Sequence, residues 1–279
     1  MIHRSVLRVL TGVFVARYDN SMDVSRRSLL LAAPVCLLGA KPAALRVGCQ
    51  TALWAIDPKD FDGFLRVLAG VKQLGFEGFE TSFVNVRPQF QSANAPYDRI
   101  RKTGLRFAGV SVALKAYDPH TFIPSLALVQ QIADGAKSLG AERVVLSGES
   151  AVHPLAMRAK ADALEAAAKY CKDAGIACAY HASDYDFQNG ATQINALASG
   201  TKENVRFVLD AGEGVAEFLA KNSRRVDAIH LLTGQSEGEW EPLKKAIQTA
   251  QWRGWLIVDG KDSDAVAPTR AAVRRLFGV

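Results

Sequence analysis

A chain of 279 residues with 49% hydrophobic side chains is long enough to bury one large core or two small ones. Its formal charge of +6 overstates the basicity: residues 1–40 hold five arginines against two acids, and residues 41–279 carry 29 bases and 26 acids, a balance of about +3. That gives nucleic acid little purchase. Beyond residue 40 the cysteines are Cys49, Cys171 and Cys178, odd in number and without C-x-x-C spacing. Neither a disulfide framework nor a thiolate zinc site is indicated, and they read as small buried hydrophobes.

The first feature in chain order is an address. Residues 25–40, SRRSLLLAAPVCLLGA, pair Arg26 and Arg27 with an apolar run too short for a stable bilayer anchor, followed by small residues suited to cleavage. The pattern resembles a twin-arginine export signal. It divides the chain into a leader at 1–40 and a domain at 41–279, and it implies a periplasmic protein with no stable membrane insertion after cleavage. The competing reading is an N-terminal helix of the domain, but Pro34 interrupts the run and its apolar residues are continuous rather than periodic.

From residue 45 onward short β-rich runs recur: LRVGCQ (45–50), GFEGFET (75–81), GLRFAGVSV (104–112), AERVVLS (141–147), GIACAYH (175–181), NVRFVLD (204–210), VDAIHLL (226–232) and GWLIVDG (254–260). Between them lie helical patterns, FDGFLRVLAGVKQLG (61–75), SLALVQQIADGAKSLG (125–140), AMRAKADALEAAAKYCKDAG (156–175) and EPLKKAIQTAQWRG (241–254), several closed by glycine. Eight strands alternating with helices over roughly 235 residues predict a single α/β domain, a (β/α)8 TIM barrel. A doubly wound sheet is the alternative, because counting strands does not show closure.

In such a barrel the working face is the C-terminal end of the strands. The runs close on Gln50, Glu80, Ser111, Glu149 just past its strand, His181, Asp210, His230 and Asp259. Singly, each has an ordinary explanation as a polar strand end or a helix cap. Jointly, His181, Asp210, His230 and Asp259 end four successive strands on one side of the mouth. Two imidazoles and two carboxylates suit Mn²⁺, Fe²⁺, Co²⁺ or Zn²⁺ better than Ca²⁺, with Mg²⁺ ranked lower.

Six segments carry a family resemblance. GFEGFET, YHASDYDF (180–187), FVLDAGE, VDAIHLL, SEGEWEPLKKAI and RGWLIVDGKD resemble, in order, segments of the sugar phosphate isomerase/epimerase family, also described as xylose isomerase-like barrels. The resemblance covers residues 45–279. It implies a divalent metal held by His181, Asp210, His230 and Asp259, and carboxylates that move a proton on a carbon next to a carbonyl. The chemistry is coherent: that abstraction creates an enediolate, which a Lewis acid stabilises while carboxylates act as base and acid.

Within this reading Glu149, Glu80 and Asp259 are the candidate catalytic carboxylates. Trp54 is a candidate stacking surface for a sugar ring, with a core-covering aromatic as the alternative, and Glu213 is a candidate substrate contact. Several positions depart from the family pattern: Asp259 replaces Glu, Ser183 replaces a histidine, Leu232 replaces Lys, Thr233 replaces an acid and Glu213 stands where many relatives have His. They leave open a barrel that binds carbohydrate without turnover. Arg87, Lys115 and Lys261 are the obvious phosphate partners in loops near the mouth, and none lies in a glycine-rich cradle, so the expected partner is a small neutral carbohydrate. Free keto-sugars or keto-glycosides suit an exported protein, with isomerisation, epimerisation and β-elimination all starting from the same enediolate. His120 and His153 read as exposed or helix-start residues, and the superfamily's multi-zinc endonucleases would need more histidines than the four beyond residue 40.

Overall fold

The molecule is described from a computed structural model over residues 45–112 and 118–279. The leader assigned to 1–40 and Lys115 lie outside the described residues. Each apolar run forms a strand: β1 (Arg46–Gln50), β2 (Gly78–Ser82), β3 (Arg106–Val112), β4 (Arg143–Ser147), β5 (Ala177–Ala182), β6 (Val205–Asp210), β7 (Val226–Leu232) and β8 (Trp255–Asp259). All pairings are parallel, and β1 pairs with both β2 (Gln50 opposite Glu80) and β8 (Gly48 opposite Ile257). The sheet is therefore closed, which decides against the doubly wound alternative.

The helices are α1 (Phe61–Gln73), α2 (Phe83–Val86), α3 (Pro96–Lys102), α4 (Leu126–Ser138), α5 (Pro154–Ala174), α6 (Asp184–Gly200), α7 (Val215–Asn222), α8 (Glu237–Thr249) and α9 (Val266–Phe277). Local chemistry sets their ends. The Asp60 carboxylate caps α1 by accepting from the Gly63 amide at 2.7 Å, and α5 begins at Pro154, with His153 as its N-cap, and stops at Gly175, whose φ of 76° suits glycine. The turn-prone NGATQ interrupts α6: Asn189, Gly190 and Ala191 all have positive φ.

Strand alternation divides the apolar side chains between two cores. Outward residues such as Val47, Cys49, Phe79, Val144 and Leu146 pack in one large buried cluster with helix residues such as Phe64, Leu68 and Val71. A separate cluster comprises Ala108, Val145, Ala179, Val208, Ala228, Trp255 and Ile257. Its packing depends on glycine, since a Cβ on Gly78 would come within 2.4 Å of the Trp255 ring. Gly78 on β2 thus makes room for the large ring on β8, and filling this interior makes the barrel a solid support for its mouth.

Candidate metal centre at the barrel mouth

The strand register brings His181, Asp210, His230 and Asp259 together. Asp210 lies directly opposite His230 across the β6–β7 pair, and Leu232 lies opposite Asp259 across β7–β8. His181 Nε2 is 2.7 Å from Asp210 Oδ1. His230 Nδ1 is 3.3 Å from Asp210 Oδ1 and 3.3 Å from Asp259 Oδ2. The two imidazole rings sit 4.8 Å apart, tilted by 52°.

Depth differs among these groups. His230 is buried, its side chain 2% exposed, whereas His181, Asp210 and Asp259 are about a fifth exposed, at 18%, 20% and 21%. Below His230 lies Glu80, fully buried, with Oε1 at 3.5 Å from His230 Nε2 and accepting from Gln50 Nε2 at 2.9 Å. Glu80 Oε2, Gln50 Oε1 and both His230 nitrogens lack a well-aligned hydrogen-bond partner. Burying so many unpaired polar atoms is costly unless another group satisfies them.

A divalent ion fits this set. Ligand atoms of His181, Asp210 and His230 all lie within 4.8 Å of one another, and Asp259 adds a fourth donor, a second carboxylate oxygen, beside His230. Two ligands each about 2.1 Å from an ion in near-tetrahedral arrangement stand roughly 3.4 Å apart, close to the 3.3 Å found twice at His230 Nδ1. The His181–Asp210 hydrogen bond would open by some tenths of an ångström on binding. His181 Nδ1 faces Ser147 Oγ at 3.5 Å, and His230 Nε2 faces Glu80, so each histidine has an outer partner on the side away from the carboxylates it would share with the ion.

Electrostatics point the same way. Burial works against charge on Asp210, yet the neighbouring His181 and His230 hold its carboxyl well below the usual carboxylate range. Burial likewise disfavours an imidazolium at His230, but the charge of Glu80 and the close approach of the Asp210, Asp259 and Glu80 carboxylates outweigh it and push the imidazole well above its ordinary value.

The other candidates stand elsewhere. Strand β4 ends at Ser147, so Glu149 falls in the following loop, its side chain exposed, and no hydrogen bond or ion pair joins its carboxylate to the cluster. Its carbonyl accepts from Lys160 Nζ at 2.8 Å. Glu213 is exposed and lines a separate cavity of about 420 Å³ with Phe187, Asn189 and Glu217. Trp54 is half-buried and packs against the large core cluster, as a core-covering aromatic does. Arg87, Lys261 and His120 are exposed.

The two acids of YHASDYDF separate. Asp184 is exposed and Asp186 buried, where it accepts from the Ser183 amide at 3.0 Å and from Tyr180 Oη at 3.0 and 3.2 Å. Lys160, fully buried, donates to Tyr180 Oη at 2.7 Å and stands 3.9 Å from Asp186. Tyr185 donates to the Gly148 carbonyl at 2.6 Å. This network ties the β4 and β5 loops together behind the mouth. Sequence reading missed Lys160, Gln50's contact and Ser147; only Gln50 and Ser147, as polar strand ends, left a signal.

Residues 68–277 match the family model described as xylose isomerase-like TIM barrel. No curated protein matches the chain in sequence. Among solved structures, a sugar phosphate isomerase/epimerase from Parabacteroides distasonis ATCC 8503 is similar at 16% identity and TM-score 0.65, over 87% of this chain and 98% of that one. An L-ribulose 3-epimerase is similar at 18% identity and TM-score 0.66, over 84% and 86% of the two chains. A xylose isomerase-like TIM barrel protein from Mycobacterium smegmatis in complex with magnesium is similar at 14% identity and TM-score 0.63, over 84% and 96%. These identities speak to the fold. With a closed eight-stranded barrel and a family match across three quarters of its length, the chain belongs to the xylose isomerase-like TIM barrel family.

Proposed function

We propose that this barrel is a metal-dependent enzyme acting on carbohydrate, an isomerase or epimerase that moves a proton on a carbon next to a carbonyl of a keto-sugar or keto-glycoside. The observation that carries the reading is the clustering of His181, Asp210 and His230 at the mouth, with Asp259 completing a four-donor set. Two of the similar structures bear sugar isomerase or epimerase names, and another holds magnesium, which supports a divalent ion. The chemistry of the donors favours Mn²⁺, Co²⁺, Fe²⁺ or Zn²⁺ over Mg²⁺.

When bound, the ion supplies Lewis-acid polarisation of the substrate carbonyl. His181, Asp210, His230 and Asp259 hold it, and Glu80 and Ser147 orient the two imidazoles from behind. Asp259 and Asp210, each about a fifth exposed, are the carboxylates of the cluster that reach solvent at the mouth. Breaking the C–H bond passes its proton to a carboxylate; return of the proton to the same or the adjacent carbon gives epimerisation or isomerisation. Loss of a glycosidic oxygen at the β position instead gives elimination. The twin-arginine-like segment makes export to the periplasm part of this proposal, with a neutral sugar as substrate.

The test is incorporation of solvent deuterium beside the carbonyl of a free keto-hexose, followed by NMR on the metal-loaded protein. Exchange that disappears in Asp210→Asn is expected. A second reading, a barrel that binds carbohydrate without turnover, draws on the exposed Glu149 and sealed Glu80, which leave no pair of free carboxylates facing the cluster. Saturable stabilisation by the sugar without deuterium exchange would select it.

A further inference from the structure

The opposite end of the barrel has its own chemistry. Each five-residue strand rises roughly 16 Å at ~3.3 Å per residue, so the N-terminal strand ends form a floor well separated from the mouth. There a cavity of about 360 Å³ is lined by Arg46, Arg143, Arg206 and Arg253, with Glu142 and Asp227 as its acids.

The acids are already engaged. Glu142 accepts from Arg106 Nε at 2.8 Å, Trp255 Nε1 at 3.1 Å and Arg46 Nη1 at 3.4 Å. Asp227 accepts twice from Arg206, at 2.9 and 2.6 Å. What remains for Arg143 is a 3.8 Å approach of Nη2 to Glu142. Arg143 is only 3% exposed, and its buried Nη1 has no acceptor. Arg253 donates to the Trp252 carbonyl at 2.9 Å and has no carboxylate partner among the described residues. With Arg106, five guanidiniums face two carboxylates. Burial, together with the like charges of Arg106 and Arg143, outweighs Glu142 and lowers the Arg46 pKa.

A buried guanidinium with a free donor, inside a cavity with surplus positive charge, costs free energy unless an acceptor answers it. Guanidiniums carried by β1, β4, β6 and the segment before β8 line this one cavity, on different strands around its wall. That geometry suits a group with oxygens on every side better than a planar carboxylate.

We propose that the barrel floor is an anion-binding site, built around Arg143 with Arg46, Arg206 and Arg253, that takes a small tetrahedral oxyanion: inorganic phosphate or the phosphoryl group of a phosphate monoester. It is independent of the mouth and of the reaction assigned there. Binding joins strands from opposite sides of the barrel, so its direct consequence is ligand-dependent stabilisation of the closed sheet.

The experiment is thermal unfolding and calorimetric titration of the full chain with inorganic phosphate and, separately, glycerol phosphate, at ionic strength held constant with chloride. A saturable stabilisation by phosphate beyond that of chloride is expected. Arg253→Gln, an exposed position that should leave folding intact, should weaken phosphate at least about ten-fold, whereas His230→Ala at the mouth should leave it unchanged. Arg143→Met should abolish it if the variant folds. Saturation by phosphate alone identifies the free ion, and saturation by both identifies a phosphoryl group. Equal responses to phosphate and chloride would mean that water answers Arg143, and would overturn the proposal. So would a phosphate response that survives Arg253→Gln or is lost in His230→Ala.

Discussion

Glu80 lies beneath His230, its Oε1 3.5 Å from His230 Nε2 and its side chain wholly excluded from solvent. A carboxylate there reaches a substrate only through the imidazole, so its proposed role is to fix the ring with Nδ1 toward the ion. Glu80→Gln should therefore fold and weaken metal binding by about 10–100-fold, as measured by competition with a chelating dye. Unchanged affinity with a reduced deuterium-exchange rate would make Glu80 a proton carrier instead.

Metal uptake should depend on pH. The His230 imidazole, pushed well above its ordinary value by its carboxylate neighbours, holds a proton that the ion must displace. Because its folded pKa is raised, that proton's contribution to stability is fully present below the unfolded value and is lost as pH rises through the folded one. Metal affinity runs the other way. It should increase about ten-fold per pH unit while one proton is released per ion, and a pH-independent affinity would show that His230 is already neutral.

Lys160 gives a second pH signature, in stability. Burial lowers its pKa to about 8, with Asp186 and Glu149 opposing the shift. Between about 8 and the ordinary value of 10.5 the unfolded chain binds the proton more tightly, so this group makes stability rise with pH across that window. At ~1.4 kcal/mol per unit the gain is bounded at roughly 3 kcal/mol. Lys160→Met removes the donor from Tyr180 and from the Glu149 carbonyl and leaves Asp186 without its cation. It should cost about 3–5 kcal/mol at neutral pH and remove this component of the alkaline rise in denaturant midpoint.

The end of β8 is conformationally constrained. Gly260 has φ of 144°, and a Cβ there would fall 1.9 Å from Thr233 Oγ1, while its amide donates to Asp259 Oδ1 at 2.6 Å. Gly260→Ala should destabilise by about 1–3 kcal/mol and, by moving Asp259, weaken metal binding as well. Loss of stability with undiminished metal affinity would remove Asp259 from the ligand set.

Much of the architecture was legible because it is written locally. Runs such as RFAGVSV and RVVLS are β-rich and bounded by turn residues, and the strand-end rule needs only the last polar residue of each run. That rule brought His181, Asp210, His230 and Asp259 to one place. Glu149, expected just past its strand, does lie in the loop two residues beyond Ser147, but its exposed side chain makes no bond to the cluster. The depth of Glu80 was not legible, since it depends on how strands are staggered around a closed barrel, and the β2–β3 register shifts between Phe79 and Glu80. The arginine floor was missed although its members share a place: Arg46, Arg106 and Arg143 open their strands, Arg206 is second in its own and Arg253 just precedes β8, but only closure shows that they meet. Lys160 carries no signal of its own in the sequence, because its burial follows only from the packing of Tyr180 and Asp186 beside it.

A divalent ion held by the strand-end cluster is measurable directly, as the metal content of purified full-length protein, read by mass spectrometry after exposure to mixed Mn²⁺, Fe²⁺, Co²⁺, Zn²⁺ and Mg²⁺, beside His230→Ala. Close to one transition-metal ion per chain is expected in the parent, and loss of it in the variant. Protein that folds, binds no ion in either form and shows no difference between them would contradict it.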